Sequence, residues 1–137
     1  MARKTDAYVD TSALIAFADR SDSHHTLFRR LFSDPPDLVT TTLVVAEGHG
    51  WFLKRYDRAR ALLFIAMIED LAPLGLLGVG TAEQAGAIQM LRKFSDQDLS
   101  LTDAVGLHVM KARRITQCWA TDRHLGLTGV SLVVHQH

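Results

Sequence analysis

Five short β-prone runs alternate with stretches whose apolar residues recur at helical spacing, and this alternation constrains the fold more than any other feature. The runs are residues 7–9, 38–41, 76–79, 117–121 and 130–134. Strands that alternate with helices imply an α/β architecture, a mainly parallel sheet covered on both faces. After the first run, Ser12 can cap a short helix carrying Leu14, Ile15, Phe17 and Ala18. Residues 23–32 place Leu27, Phe28, Leu31 and Phe32 on one helical face, and Asp34-Pro35-Pro36-Asp37 ends that helix. Thr42 can cap a helix to about Tyr56. Asp57 starts another through Leu71, with Leu62, Leu63, Ile65, Ala66 and Ile68 as a broad apolar surface and Pro73 and Gly75 as its stop. Residues 76–79 read as a buried third strand. Thr81 and Glu83 open a helix to about Phe94, and Ser100 caps one to about Arg114.

No repeat, low-complexity tract or linker divides residues 1–137, so one compact domain is expected. Hydrophobic content of 47% with 22% charged residues argues against disorder. Lys+Arg and Asp+Glu both number 15, so no overall field announces a polyanion partner, although a local basic rim can coexist with an acidic centre. The single cysteine, Cys118, cannot form an intrachain disulfide and sits in a strand-like run, which reads as a small buried hydrophobe and fits a reducing cytoplasm. Met1-Ala2-Arg3-Lys4 leads into Thr5-Asp6 and not into an apolar signal core. Glu69, Asp70 and Pro73 interrupt the longest apolar region, so a spanning helix of about 20 apolar residues is not expected.

Against this frame four acids stand at element ends or on an apolar face. In Tyr8-Val9-Asp10-Thr11-Ser12-Ala13-Leu14 the first strand delivers Asp10 to the start of a helix. Asp10 reads equally as an Asx-type cap and as a ligand. Ser100-x-x-Asp103 resembles a capping box with Asp in place of Glu. Asp122 can cap the turn Arg123-His124-Leu125. Glu47 shares a helical face with Leu43, Gly50, Trp51 and Lys54, where burial of an acid is costly unless it is paired or bound to metal. In open parallel sheets, ligands bind beyond the carboxyl ends of strands near a topological switch point, which is where Asp10 and Asp122 are expected. Converging carboxylates repel by roughly 1 kcal/mol in water and by ~4 at an effective dielectric of 20, so they either protonate or recruit a cation. An oxygen-rich site without cysteine suits Mg²⁺, with Mn²⁺ as a substitute.

Asp10-Thr11-Ser12, Glu47 after Val44-Val45-Ala46, Leu101-Thr102-Asp103-Ala104 and Thr121-Asp122-Arg123-His124 together resemble the motifs of PIN-domain ribonucleases, and among these the VapC-type toxins of toxin–antitoxin pairs. The resemblance spans nearly the whole chain, in the family's order and approximate spacing. It implies an α/β/α sandwich around a parallel sheet and a metal site of Asp10, Glu47, Asp103 and Asp122. Thr11 or Ser12 would support the first carboxylate, and Asp98 is either a peripheral acid or a loop residue. Leu125 stands where many relatives carry an aromatic. The implied activity is metal-assisted hydrolysis of RNA phosphodiesters leaving 5′-phosphate and 3′-hydroxyl ends. A cognate VapB-like antitoxin and a homodimer are the implied partners. A housekeeping RNA-processing nuclease and a non-catalytic binding module are the competing readings.

The seven histidines lack zinc-ligand spacing, and no His-Glu-x-x-His pattern occurs. His124 reads as a surface-turn residue within reach of phosphate. Arg123, beside Asp122, is the foremost candidate RNA contact among the basic residues. Trp51 and Trp119 read as core. The Leu62–Ile68 stretch and the Phe28/Phe32 face read either as apolar surface for an interface or as simple burial.

Overall fold

The computed structural model describes residues 7–72 and 74–136. The N-terminal residues 1–6, the helix breaker Pro73 and the terminal His137 lie outside them. Strands β1 (Ala7–Val9), β2 (Leu38–Thr41), β3 (Leu74–Leu77), β4 (Gln117–Trp119) and β5 (Ser131–Leu132) form one sheet in the order β3-β2-β1-β4-β5. Every pairing is parallel, with Tyr8 opposite Val39 on one side and Cys118 on the other. Helices α1 (Thr11–Ala18), α2 (His25–Leu31), α3 (Thr42–Arg55), α4 (Arg58–Asp70), α5 (Thr81–Lys93) and α6 (Leu101–Ala112) make the crossings. The sequence therefore predicted the class and strand number correctly. No helix among the described residues is long and apolar enough to cross a membrane.

The strand order matters for the site. The chain builds outward from β1 to β2 and β3, then returns to lay β4 on the other flank of β1. That reversal makes β1/β4 the switch point, and their carboxyl ends open a crevice between diverging connections. The two ends are tied together by the Asp10 amide donating to the Trp119 carbonyl at 2.9 Å. Around them the core is dense: Tyr8, Val9, Leu14, Phe28, Leu107, Met110 and Cys118 are fully buried. Trp119 packs edge-on against Phe32 at 4.9 Å. Trp51, half-buried, meets Phe52 edge-on at the same distance.

Several local expectations shift. Asp10, not Ser12, is the N-cap of α1, and Thr41, not Thr42, caps α3 through a bond from the Val44 amide. β3 begins two residues early, so Gly75 lies within the strand instead of ending α4. It is an edge strand with Leu76 half exposed, not a buried one. Its register is set by pairing with β2, from Leu38 opposite Leu74 to Thr41 opposite Leu77, and local apolarity could not reveal that. The chain turns to 3₁₀ geometry at Arg123–Gly126 and Val133–Gln136, shortening β4 and β5. Phe28 and Phe32 belong to the core, whereas Leu62 and Leu63 of α4 are 47% and 65% exposed.

A buried acid that the sequence reading passed over anchors the far end of α1. Asp19 accepts bonds from the Ser21 amide and hydroxyl at 3.0 and 2.8 Å and from the Tyr56 hydroxyl at 2.9 Å. Burial alone would raise its pKa, but these donors and the Arg55 charge hold it below the ordinary carboxylate value. The group thereby fastens α1 to the end of α3.

Candidate metal centre

Asp10 leaves β1 with an extended backbone and turns its carboxylate onto the first turn of α1. Its Oδ2 accepts from the Ser12 amide at 3.1 Å and the Ser12 hydroxyl at 2.6 Å. The same hydroxyl oxygen accepts from the Thr121 amide at 2.9 Å. Ser12 is thus a bridge between the loop that carries Asp10 and the loop that carries Asp122. Only 4% of Asp10 is exposed. Burial pushes its pKa up to about 6 against the lowering effect of the Ser12 donors, and the charges of Asp103 and Glu47 raise it further. A carboxylate so placed is ionised at pH 7 at a cost that a cation would relieve.

Of the two hydroxyl residues expected to support Asp10, Ser12 does so. Thr11 Oγ1 is buried without a hydrogen-bond partner among the described atoms. Removing the Ser12 hydroxyl should therefore leave a measurable mark. Ser12→Ala is expected to raise the Asp10 pKa still further and to cost about 1–2 kcal/mol of stability. Carbon-13 NMR titration of the Asp10 carboxyl and a urea melt would read both, and an unmoved pKa would remove Ser12 from the site.

Asp103 opens α6 in a reciprocal capping box, accepting from the Ser100 amide at 3.2 Å while its own amide donates to Ser100 Oγ at 3.0 Å. It is half-buried, and burial together with the Asp122 charge raises its pKa above the ordinary value. Capping and site membership are therefore not alternatives here. Asp122 caps the 3₁₀ turn, its Oδ1 accepting from the His124 amide at 2.9 Å. The His124 ring adds Nδ1 at 3.2 Å from the same oxygen. Donor atoms of Asp103, Asp122 and His124 all lie within 4.8 Å of one another.

Asp10 and Glu47 stand outside that tight group, yet Asp10 feels the charge of both Asp103 and Glu47. Glu47 is exposed on α3, so the cost of burying an acid on an apolar face does not arise. The buried face of this helix is carried by Val44, Gly48 and Phe52, one position away. Asp98 is exposed in the segment before Ser100 and is not part of the compact donor group. Arg123 is exposed beside Asp122, lining a cleft with His124. Cys118 is buried, and burial holds its thiol well above the ordinary value, with Asp10 and Asp122 adding to the effect, so it offers no thiolate. His124 is the residue that sequence reasoning undervalued. Its only signal was its position two residues after Asp122, where an Asx turn folds the ring back on the carboxylate.

The donor set is carboxylate oxygen plus one imidazole without thiolate, chemistry that could hold a divalent metal ion. The PIN domain profile matches residues 7–128, which takes in β1, β4 and all four acids. The chain belongs to the PIN-domain family. A curated PIN relative, the 23S rRNA-specific endonuclease VapC20 of Mycobacterium tuberculosis H37Rv, is 27% identical over 123 residues, 89% of this chain and 93% of the relative. The crystal structure of Mycobacterium tuberculosis VapC20, a sarcin-ricin loop cleaving toxin, superposes with a TM-score of 0.82 at 24% identity, covering 91% of this chain and 96% of that one. A toxin–antitoxin complex from Klebsiella pneumoniae matches at a TM-score of 0.61 and 15% identity, over 92% and 94% of the two chains. At these identities the superpositions establish the PIN fold.

Proposed function

We propose that this PIN-domain chain is a metal-dependent endoribonuclease acting as the toxin of a toxin–antitoxin pair. The observation that carries the reading is Asp10, a nearly inaccessible carboxyl at the sheet's switch point, repelled by Asp103 and Glu47. Structural caps do not need to be buried next to like charges. Asp10, Glu47, Asp103 and Asp122 would hold Mg²⁺, with Mn²⁺ as a substitute. When bound, such an ion supplies the positive charge and Lewis acidity that in-line phosphodiester hydrolysis needs. Ser12 keeps the Asp10 and Asp122 loops in register, and the Asp103 capping box fixes the carboxylate at the start of α6. Arg123 is assigned to a neighbouring phosphate of the substrate.

The toxin assignment draws support from the likeness to VapC20 over most of both chains. A VapB-like antitoxin and a second copy of the chain are the proposed protein partners, and exposed Leu53, Leu62 and Leu63 on α3 and α4 offer apolar surface for them. Residues 1–137 would work as a single domain on RNA in the cytoplasm.

Purified protein is expected to cut RNA with Mg²⁺ or Mn²⁺, to stop in EDTA and to resume when the ion is restored. Sequencing of the fragments should find 5′-phosphate and 3′-hydroxyl ends. Cyclic 2′,3′-phosphate ends, or cleavage that persists in EDTA, would reject the metal-assisted mechanism. Growth arrest on expression, relieved by the antitoxin, tests the toxin role.

A further inference from the structure

The acids have a neighbouring surface of opposite sign. Three clefts share lining residues and run together from the 3₁₀ turn Arg123–Gly126 to the facing ends of α5 and α6. The first, of about 420 Å³, is lined by Arg123, His124 and His135, and its His124 touches Asp122. It shares Leu127 and Val130 with a second, of about 470 Å³, lined by Lys93, Lys111 and Arg114. Lys93 and Lys111 continue into a third, of about 440 Å³. No Asp or Glu lines any of the three. In a chain with 15 acids and 15 bases, that is a segregation of charge. Among the described residues Lys93, Lys111 and Arg114 form no ion pair, although the Lys93 ammonium lies 5.4 Å from the Phe94 ring centroid. The Thr128 hydroxyl, buried and without a hydrogen-bond partner among the described atoms, belongs to the lining of the middle cleft.

We propose that these clefts form one cationic track along which a single RNA strand lies as it leaves the metal centre, held through its phosphates. The inference rests on the nuclease reading, because the track begins at His124, which contacts the proposed metal ligand Asp122. α6 sets the scale: Asp103 is in its first turn and Lys111 in its last, about 12 Å apart at a rise of ~1.5 Å per residue. One RNA molecule therefore reaches both. Phosphate contacts of this kind position a strand without reading its bases.

The test measures binding of a single-stranded RNA of about 20 nucleotides across a salt series, in an Asp10→Asn background that does not cut. Each phosphate contact on a single strand contributes roughly 0.7 to the slope of log affinity against log salt. Lys93→Gln/Lys111→Gln should flatten that slope by about 1.4 and weaken binding, with an unchanged thermal melt. Arg114 has a left-handed backbone (φ 57°), so Arg114→Asn is the substitution that removes its charge without strain. It should flatten the slope by a further ~0.7. The charge-matched control Lys54→Gln/Arg58→Gln, on α3 and α4, should leave the slope as it was. An unchanged slope in the track variants, or equal flattening in the control, overturns the proposal. So does loss of poly-glutamate binding with RNA binding intact, which would assign the clefts to an acidic peptide. A flattened slope in a chain whose wild type shows no metal-dependent cleavage would keep the track and reject the nuclease.

Discussion

Asp10→Asn is expected to abolish RNA cleavage while making the metal-free protein more stable at pH 7 than the wild type. Loss of one member of a cooperative catalytic set lowers kcat by about 10⁴-fold. The stability gain follows from the carboxyl's raised pKa, about 6 against an ordinary 3.8. Between those values the folded state holds a proton that the unfolded state has released, so stability falls as pH rises. The penalty is absent below about pH 4 and fully present above about pH 6. At 1.36 kcal/mol per unit it amounts to at most about 3 kcal/mol. Asparagine carries no charge at any pH and can still accept the Ser12 bonds through its carbonyl oxygen. Urea melts in EDTA should find the variant about 1–3 kcal/mol more stable at pH 7.5 and level with the wild type at pH 4. Added Mg²⁺ should close the gap by stabilising the wild type alone. A variant equally stable at both pH values would mean that Asp10 is not a strained group.

The second large effect is at Gly48. A methyl group there would lie 2.3 and 2.6 Å from two atoms of the Phe64 ring. Phe64 is buried and stacked on Phe52 at 5.2 Å, so it can yield only towards the cleft that it lines with Phe52, Tyr56 and Met67. Gly48→Ala would gain up to about 1 kcal/mol of helix propensity. Overpacking costs more, about 1–3 kcal/mol and at this distance the upper part of that range. The predicted result is a net loss near 2 kcal/mol with α3 and α4 pushed apart, and it would move Glu47 as well, since Glu47 is the preceding residue on α3. Phe64→Leu should restore most of the loss in a double-mutant cycle. Gly86 supplies the contrast. A methyl there meets the His108 ring at 2.2 Å, but His108 is half-buried at the edge of the α5–α6 pair and can swing outward. Equal costs at the two glycines would show that ring mobility does not decide the outcome.

What was legible in the sequence was the part governed by local pattern. The β-prone runs and the spacing of Leu27, Phe28, Leu31 and Phe32 gave the order of elements because burial imposes those periods. Asp10 and Asp122 were placed at strand ends by the same reasoning, and β1/β4 is the switch point they flank. The misreadings concern pairing. Residues 74–77 form β3 because β2 fixes its register, and the apolarity of Leu76 and Leu77 says nothing about which edge of a sheet they occupy. For Glu47 the sequence leaves a metal ligand and a partly exposed acid both open, and the residue is exposed. The helix packs its Gly48 side inward against the Phe64 ring, sixteen residues away, a contact that no local spacing shows. No sequence spacing links His124 to Asp103, which it meets only through the return of β4.

The Ser12 hydroxyl joins residues 109 positions apart in the chain, accepting from Thr121 while it donates to Asp10. Asp10 and Asp122 lie 112 positions apart in the chain. β4 must dock beside β1 before the bridge can close, and closing so long a loop is a late, entropically costly event. The acids therefore come together only after β4 has docked on β1. The order of strands thus makes the acid cluster a product of long-range folding and not of any local segment.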